Sequence, residues 1–277
     1  MYDSTLHYQI VVFFKSNMFN TVTSQLYINS PLEQFEVLSF INLSAPVLGY
    51  FNIALTNLGL YSLIVLFLAL GLHLAGNNEG KLVPSLWSVS LEASYASIHS
   101  MVRSQIGSSN ERYLPFIYSL FFFIIFSNLV GNIPYNYTVT TSIIVSLGLS
   151  FTIFIGVTIL GLYKHQVGFF AFFIPSGTPL GLVPLLVLIE FISYIARAFS
   201  LGVRLFANLV AGHTLLKILS GLLTKLFTSS ILMFFITLIP FTIFVALVGL
   251  ELAVSVIQAY VFCILVCSYL KDAIDLH

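Results

Sequence analysis

Apolar residues fill long stretches of the chain, and the polar positions between them mark where each stretch starts and stops. A run at 57–75, including LYSLIVLFLAL, is long enough to be a membrane span, because about 20 apolar residues cross the hydrocarbon core. From 84 to 107 the pattern changes, with Trp87, Leu91, Tyr95, Ile98, Val102 and Ile106 recurring at helical spacing and Glu92, His99 and Arg103 between them. That spacing predicts an amphipathic helix on the membrane surface. Residues 113–163 contain no Asp, Glu, Lys or Arg, and the turn GNIPYN divides them into spans at 113–133 and 137–163. Helix signals return at 183–226 and at 232–271, with polar residues at 228–230 between them. At 1.5 Å per residue each helix would be roughly 60 Å long, twice the ~30 Å hydrocarbon thickness. The pair is therefore expected to form a long, strongly tilted antiparallel hairpin.

The predicted fold is an all-α polytopic membrane protein: one N-terminal span, a surface amphipathic helix, two further spans and the hairpin. Composition agrees, since 58% of the 277 residues are hydrophobic, 7% are charged and the mean hydropathy is +1.03. Soluble domains carry about 25% charged residues. A formal net charge of zero removes the electrostatic case for a nucleic-acid partner. Cys263 and Cys267 lie four apart in a span and are read as small packing residues, too few for a zinc site or disulfide framework. No metal or cofactor is expected. Residues 1–29 are mixed in character and contain no span; they are treated as a peripheral extension, with 30–277 as a single membrane domain.

Candidate chemistry centres on SLGVRLFANLVAGH at 200–213, where Arg204 sits in an apolar segment with no acid nearer than Glu190. A guanidinium cannot shed its charge, and placing it at mid-membrane costs about 2.5–3.5 kcal/mol on the insertion scale. Arg204 is therefore expected to line a cavity or meet an anion, the alternative being a snorkelling or purely structural ion-pair arginine. Folding straight helices about residue 231 puts Glu190 opposite Asp272, Arg204 opposite Gln258 and His213 close to Glu251. Glu190, Arg197 and Arg204 recur every seven residues, as do Glu251 and Gln258, and seven residues return a helix to nearly the same face. Asn208 extends the Arg204 stripe by one turn, and Ser255 follows Glu251 likewise.

His213 points about 180° away from Arg204 on an ideal helix, so the pattern predicts two polar paths offset around the hairpin. Arg197 either supports the path beside Glu190 and Asp272 or simply balances Glu190. Asn128 and Asn132 are cap or turn residues or the lining of a water path, His73 is an interfacial residue and His99 a solvated one. Lys81, Arg103, Arg112, Lys164 and Lys271 fall on one side of the membrane, with the N terminus on the other. By the positive-inside rule that side is the matrix or cytoplasm, although Lys217 and Lys225 oppose the assignment.

Three function classes fit this much. An ion-coupled secondary transporter would use intramembrane charges, but no second copy of the Arg204 motif marks a repeated half. A haem-carrying redox subunit needs paired axial ligands, whereas His7, His73, His99, His165, His213 and His277 are scattered one per segment. A structural membrane subunit would have no need of Arg204.

SLGVRLFANLVAGH, followed by ELAVSVIQAYVF at 251–262, resembles the subunit a family of rotary F-type ATP synthases, and the similarity runs from SPLEQFEV to the terminal SYLKDAIDLH. Histidine at 213 with an acid at 251 resembles the mitochondrial branch, and the two terminal stretches look fungal or plant-like. The resemblance implies a non-catalytic, proton-translocating subunit of the mitochondrial inner membrane, partnered by a ring of subunit c, by subunit b and by other membrane-sector subunits. It implies that Arg204 is the essential charge facing the ring carboxylate. It places His213, Glu251, Asn208 and Gln258 at the intermembrane-space half-channel and rotor interface, and Glu190 and Asp272, with possible support from Arg197, at the matrix half-channel. No cofactor follows from it. The chain has no Gly-rich phosphate loop with Lys, so ATP chemistry would belong to other subunits. Some relatives lose a short leader near the end of the 1–29 extension.

Overall fold

The computed structural model describes residues 32–44, 52–76, 83–133, 136–166, 168–169, 181–229 and 231–274. The 1–29 extension, Lys81 and the loop at 174–180 lie outside the described residues. The chain divides into two units, Met1–Glu36 and Val37–His277. In the first, the described residues make one 3-10 turn at Glu33–Phe35, closed by the Phe35 N–H on the Leu32 carbonyl at 3.0 Å.

The second unit opens on an antiparallel ribbon of β1 (Ser39–Ser44) and β2 (Asn52–Thr56), which the hydrophobic pattern did not reveal. Six helices follow among the described residues: α1 (Asn57–Gly76), α2 (Leu86–Ile106), α3 (Leu114–Gly131), α4 (Ile143–His165), α5 (Val183–Ser229) and α6 (Ile231–Ile274). All but α2 are long and apolar enough to cross a membrane. The protein is an all-α polytopic membrane protein with a small β ribbon at its start.

Local chemistry sets the helix ends. Thr56 Oγ1 accepts the Gly59 N–H at 3.3 Å to open α1, and the Asn57 side-chain carbonyl accepts from Leu38 N–H and Leu58 N–H, tying ribbon to helix. Ser85 caps α2 by accepting the Ser88 N–H at 3.3 Å, as expected of an N-cap serine. α2 stops at Gly107, whose φ of 89° a side chain would resist. Pro115 begins α3, where its missing N–H costs nothing.

α6 is the element on which four of the other five described helices pack. It touches α5, α4, α3 and α2, and its inner face buries Ala259, Phe262, Cys263, Val266, Cys267 and Leu270. Both cysteines are free and fully buried among these apolar side chains. The inner face of α2 buries Ile98, Met101, Val102 and Ile106, whereas Trp87 and Tyr95 of the same predicted stripe stay exposed. Of His73 and His99, only His99 departs from its sequence reading. His99 is half-buried and stacks on the Tyr95 ring, centroids 6.0 Å apart, so it is not merely solvated. His73 bonds through Nδ1 to the Ala69 carbonyl at 2.7 Å and through Nε2 to the Tyr118 hydroxyl at 3.1 Å.

α5 and α6 contain 47 and 44 residues and are separated by the single position 230. Helices of that length, roughly 70 Å, cannot stand upright within ~30 Å of hydrocarbon. α5 lies against α4 at Gly202, where an added Cβ would come within 2.5 Å of Ser150 Oγ. That close approach sets the rotation of α5, and with it the direction of every polar side chain on the helix.

Candidate functional site

The polar side chains of the hairpin collect at two places. Toward the start of α5 and the end of α6, Arg197 Nη1 donates to Asp272 Oδ2 at 3.0 Å while Nη2 stands 3.6 Å from Glu190 Oε1. One planar guanidinium thus spans two carboxylates from two helices, a task its fork of donors suits. All three side chains are about one-third exposed. The Tyr269 hydroxyl reaches the Arg197 carbonyl at 3.4 Å, and the Tyr194 hydroxyl lies 2.8 Å from Thr158 Oγ1 on α4. A cavity of about 20 Å³ opens beside this group, bordered by Arg197, Asp272, Tyr194, Tyr269 and Phe169. It has room for one water.

The second cluster is more enclosed. His213 Nδ1 lies 3.2 Å from Glu251 Oε1, and His213 Nε2 lies 3.3 Å from Thr138 Oγ1. Glu251 is 8% exposed. Gly212 lets it come this close, for a Cβ there would stand 2.8 Å from the carboxylate oxygen. One turn along α6, Ser255 Oγ donates to the Glu251 carbonyl and receives the Asn132 amide at 2.7 Å. Asn128 donates to the Ser255 carbonyl at 3.3 Å and accepts from Thr140 Oγ1 at 3.0 Å. Asn128 and Asn132 therefore link α3 to α6 instead of only capping a turn.

Glu251 Oε1, Asn132 Oδ1 and the Tyr137 hydroxyl are buried without a hydrogen-bond partner. Buried polar atoms are nearly always satisfied by protein or by water. These atoms supply the partners that ordered water needs.

Arg204 lies between the clusters, half-buried, and makes no hydrogen bond or ion pair among the described residues. It is seven residues from Arg197 and nine from His213, roughly 10 and 14 Å along a helix axis. One turn on, Asn208 Nδ2 donates to the buried Gln258 Oε1 at 3.0 Å.

Two pairings in the straight-helix register are thereby corrected. Asp272 binds Arg197 directly, with Glu190 reached through the same guanidinium. Gln258 binds Asn208 rather than Arg204. The direction of the shift has a physical cause. Side chains on a helix lean toward its own N terminus, so in an antiparallel pair the residues that meet both lie farther along the chain than the backbone register implies. Thr138, Thr140, Tyr194 and Tyr269 were missed in the sequence. The polar string IPYNYTVTT after a membrane turn was the available signal for the threonines.

The sequence profile described as ATP synthase A chain matches residues 59–271, which takes in the His213–Glu251 cluster and the Glu190–Arg197 part of the other, ending one residue before Asp272. The chain belongs to that family. It is 67% identical over 250 residues to the ATP synthase subunit a of Mycosarcoma maydis, covering 90% of this chain and 98% of that one. Against the ATP synthase subunit a of Emericella nidulans it is 52% identical over 252 residues, covering 91% and 98%. Against that of Podospora anserina it is 48% identical over 263 residues, covering 95% and 100%. The resemblance to the mitochondrial F-type subunit a family, read from two motifs, thus extends over nearly the whole chain, and these three relatives are fungal. As a member of this family the protein is a proton-translocating subunit of the ATP synthase membrane sector.

Proposed function

We propose that the two clusters are the two proton half-channels of a stator subunit, offset along the hairpin, with Arg204 as the barrier between them. The observation that carries this is an arginine half-buried between two separate polar groups without a hydrogen bond or ion pair among the described residues. A charge that cannot be neutralised is then available for a carboxylate on a neighbouring chain. His213 and Glu251, with Asn208 and Gln258 toward the rotor, pass a proton inward from the intermembrane space. The carboxylate of an adjacent subunit c takes it up, and the ring turns away. After a revolution the proton leaves through Glu190 and Asp272 on the matrix side, where Arg197 holds the two acids together. Arg204 attracts each deprotonated ring carboxylate and repels a proton that would cross directly, a leak worth about 2.3 kcal/mol per charge per 100 mV.

In this reading the chain is a single membrane domain over 30–277 with a peripheral 1–29 extension. It lies in the mitochondrial inner membrane with its N terminus in the intermembrane space and its C terminus in the matrix. It catalyses no bond chemistry itself and works against the c-ring, with subunit b among its membrane-sector partners. Lys164 and Lys271, near the Asp272 end, support the orientation through the positive-inside rule.

The test is proton-driven ATP synthesis in inner-membrane vesicles carrying Arg204→Ala, with the yield of intact complex measured alongside. Loss of synthesis in an assembled complex is expected. Normal synthesis would make Arg204 a structural residue and overturn the reading.

A further inference from the structure

The end of α4 reaches across the end of α6. Lys164 Nζ donates to the Ile274 carbonyl at 3.0 Å, and His165 Nε2 donates to the same oxygen at 2.9 Å. The last four carbonyls of a helix have no partner within it, and cationic side chains there satisfy them and complement the helix dipole. Such a cap is ordinarily local. Here both donors come from a different helix, and they grip α6 two residues beyond Asp272.

The same end of α4 also closes the cavity beside Asp272. The chain turns at Gln166, whose φ of 50° is a conformation that a non-glycine residue adopts only when its surroundings hold it there. Phe169 then packs back under α4, 5% exposed. Gly161 makes room for it, since a Cβ at that position would come within 2.7 Å of the ring. The Phe169 ring meets Tyr194 edge-on at 6.4 Å and borders the same cavity as Arg197 and Asp272.

Helix termini fray, and the final turn is the least restrained part of a helix. Asp272 sits in that turn, yet its oxygen must stay 3.0 Å from Arg197. We infer that Lys164 and His165 are positioning residues for Asp272: by anchoring the Ile274 carbonyl they hold the last turn of α6 where its carboxylate meets Arg197, while Phe169 seals the adjoining cavity. This role rests on the placement of Asp272 in the matrix-side path proposed above. Among the described residues neither forms a hydrogen bond or ion pair with Glu190 or Asp272, so the effect is on where the last turn sits.

The experiment compares the double variant Lys164→Met with His165→Leu, which removes both donors, the donor-retaining pair Lys164→Arg with His165→Gln, and Asp272→Asn. Each is measured for yield of intact complex, proton-driven ATP synthesis, and passive proton conduction after removal of the catalytic sector. A misplacement of about 1 Å at a reacting group can cost up to about a hundredfold. The first pair is therefore expected to assemble normally and to lose about tenfold in both synthesis and conduction, with the donor-retaining pair restoring both. Unchanged rates in the first pair, or a loss the donor-retaining pair does not restore, overturn the inference. If Asp272→Asn itself leaves synthesis intact, the matrix-side path fails and takes the inference with it. If Asp272→Asn abolishes synthesis while the first pair is silent, the inference alone fails. Should the first pair not assemble, Lys164→Met alone, which keeps the His165 donor, is expected to show a smaller loss in the same direction, and an unchanged rate there also overturns the inference.

Discussion

His213 and Glu251 meet across the hairpin with Nδ1 and Oε1 3.2 Å apart, close enough to exchange a proton but without the alignment of a hydrogen bond, so that Oε1 is left buried with none. A carboxylate held this way by a single imidazole depends on its partner. Glu251→Gln and His213→Asn are each expected to reduce ATP synthesis by about tenfold or more. The double variant should be little worse than the more damaging single one, because residues acting as a unit are not additive. Rates in vesicles from the three variants give the coupling directly. Strictly multiplicative losses would mean that the two act independently.

Gly212 offers a way to disturb that pair without removing a titratable group. Alanine there sets a Cβ 2.8 Å from the Glu251 carboxylate. It also improves helix propensity by about 1 kcal/mol. Gly212→Ala is therefore expected to leave the yield of complex at or above normal while synthesis falls about tenfold. The measured rate should fall with no fall in yield.

Arg197 should not tolerate replacement by lysine. A single ammonium cannot span Asp272 at 3.0 Å and Glu190 at 3.6 Å as the guanidinium fork does. Arg197→Lys is expected to lose roughly two- to fivefold in synthesis, and Arg197→Ala, which leaves the two acids without their shared cation, more than about tenfold. Equal rates for the two variants would show that the charge contributes nothing.

Gly202 is expected to behave differently from every channel position, because it sets packing. Its Cβ would fall 2.5 Å from Ser150 Oγ and 2.9 Å from Leu147 Cδ2. Overpacking of this kind costs about 1–3 kcal/mol. Gly202→Val should reduce the amount of assembled complex, measured by native gel, in proportion to any loss of activity. Ser150→Ala in the same chain removes the nearest clash and should recover part of the yield.

How much of this was legible in the sequence varies by element. Apolar runs at 57–75 and 137–163 announce spans because lipid tolerates no unsatisfied backbone, so a helix is the only local solution, although the second helix starts only at Ile143. The hairpin ladder was legible as faces but not as contacts. Seven-residue spacing puts Glu190 and Arg197 on one side of α5. Which atom meets which is decided by the lean of each side chain and by how closely two helices approach, as at Gly202 and Ser150. The β1–β2 ribbon was not legible because its strands are short, six and five residues, and SFINLS does not alternate strictly between apolar and polar positions.

The sequence by itself determined the solvent, the helices long and apolar enough to cross a membrane and the hairpin that carries the charges, since each follows from transfer free energy and helical period, which are local properties. Its two long motifs also determined the family. Only the tertiary structure decided that Arg197 holds both acids, that Asn128 and Asn132 tie α3 to Ser255, and that Lys164 and His165 cap a helix more than a hundred residues away. Those contacts arise between helices whose mutual rotation and depth are set by packing. Packing depends on the shapes of all the facing side chains together, and no single stretch of chain contains that information.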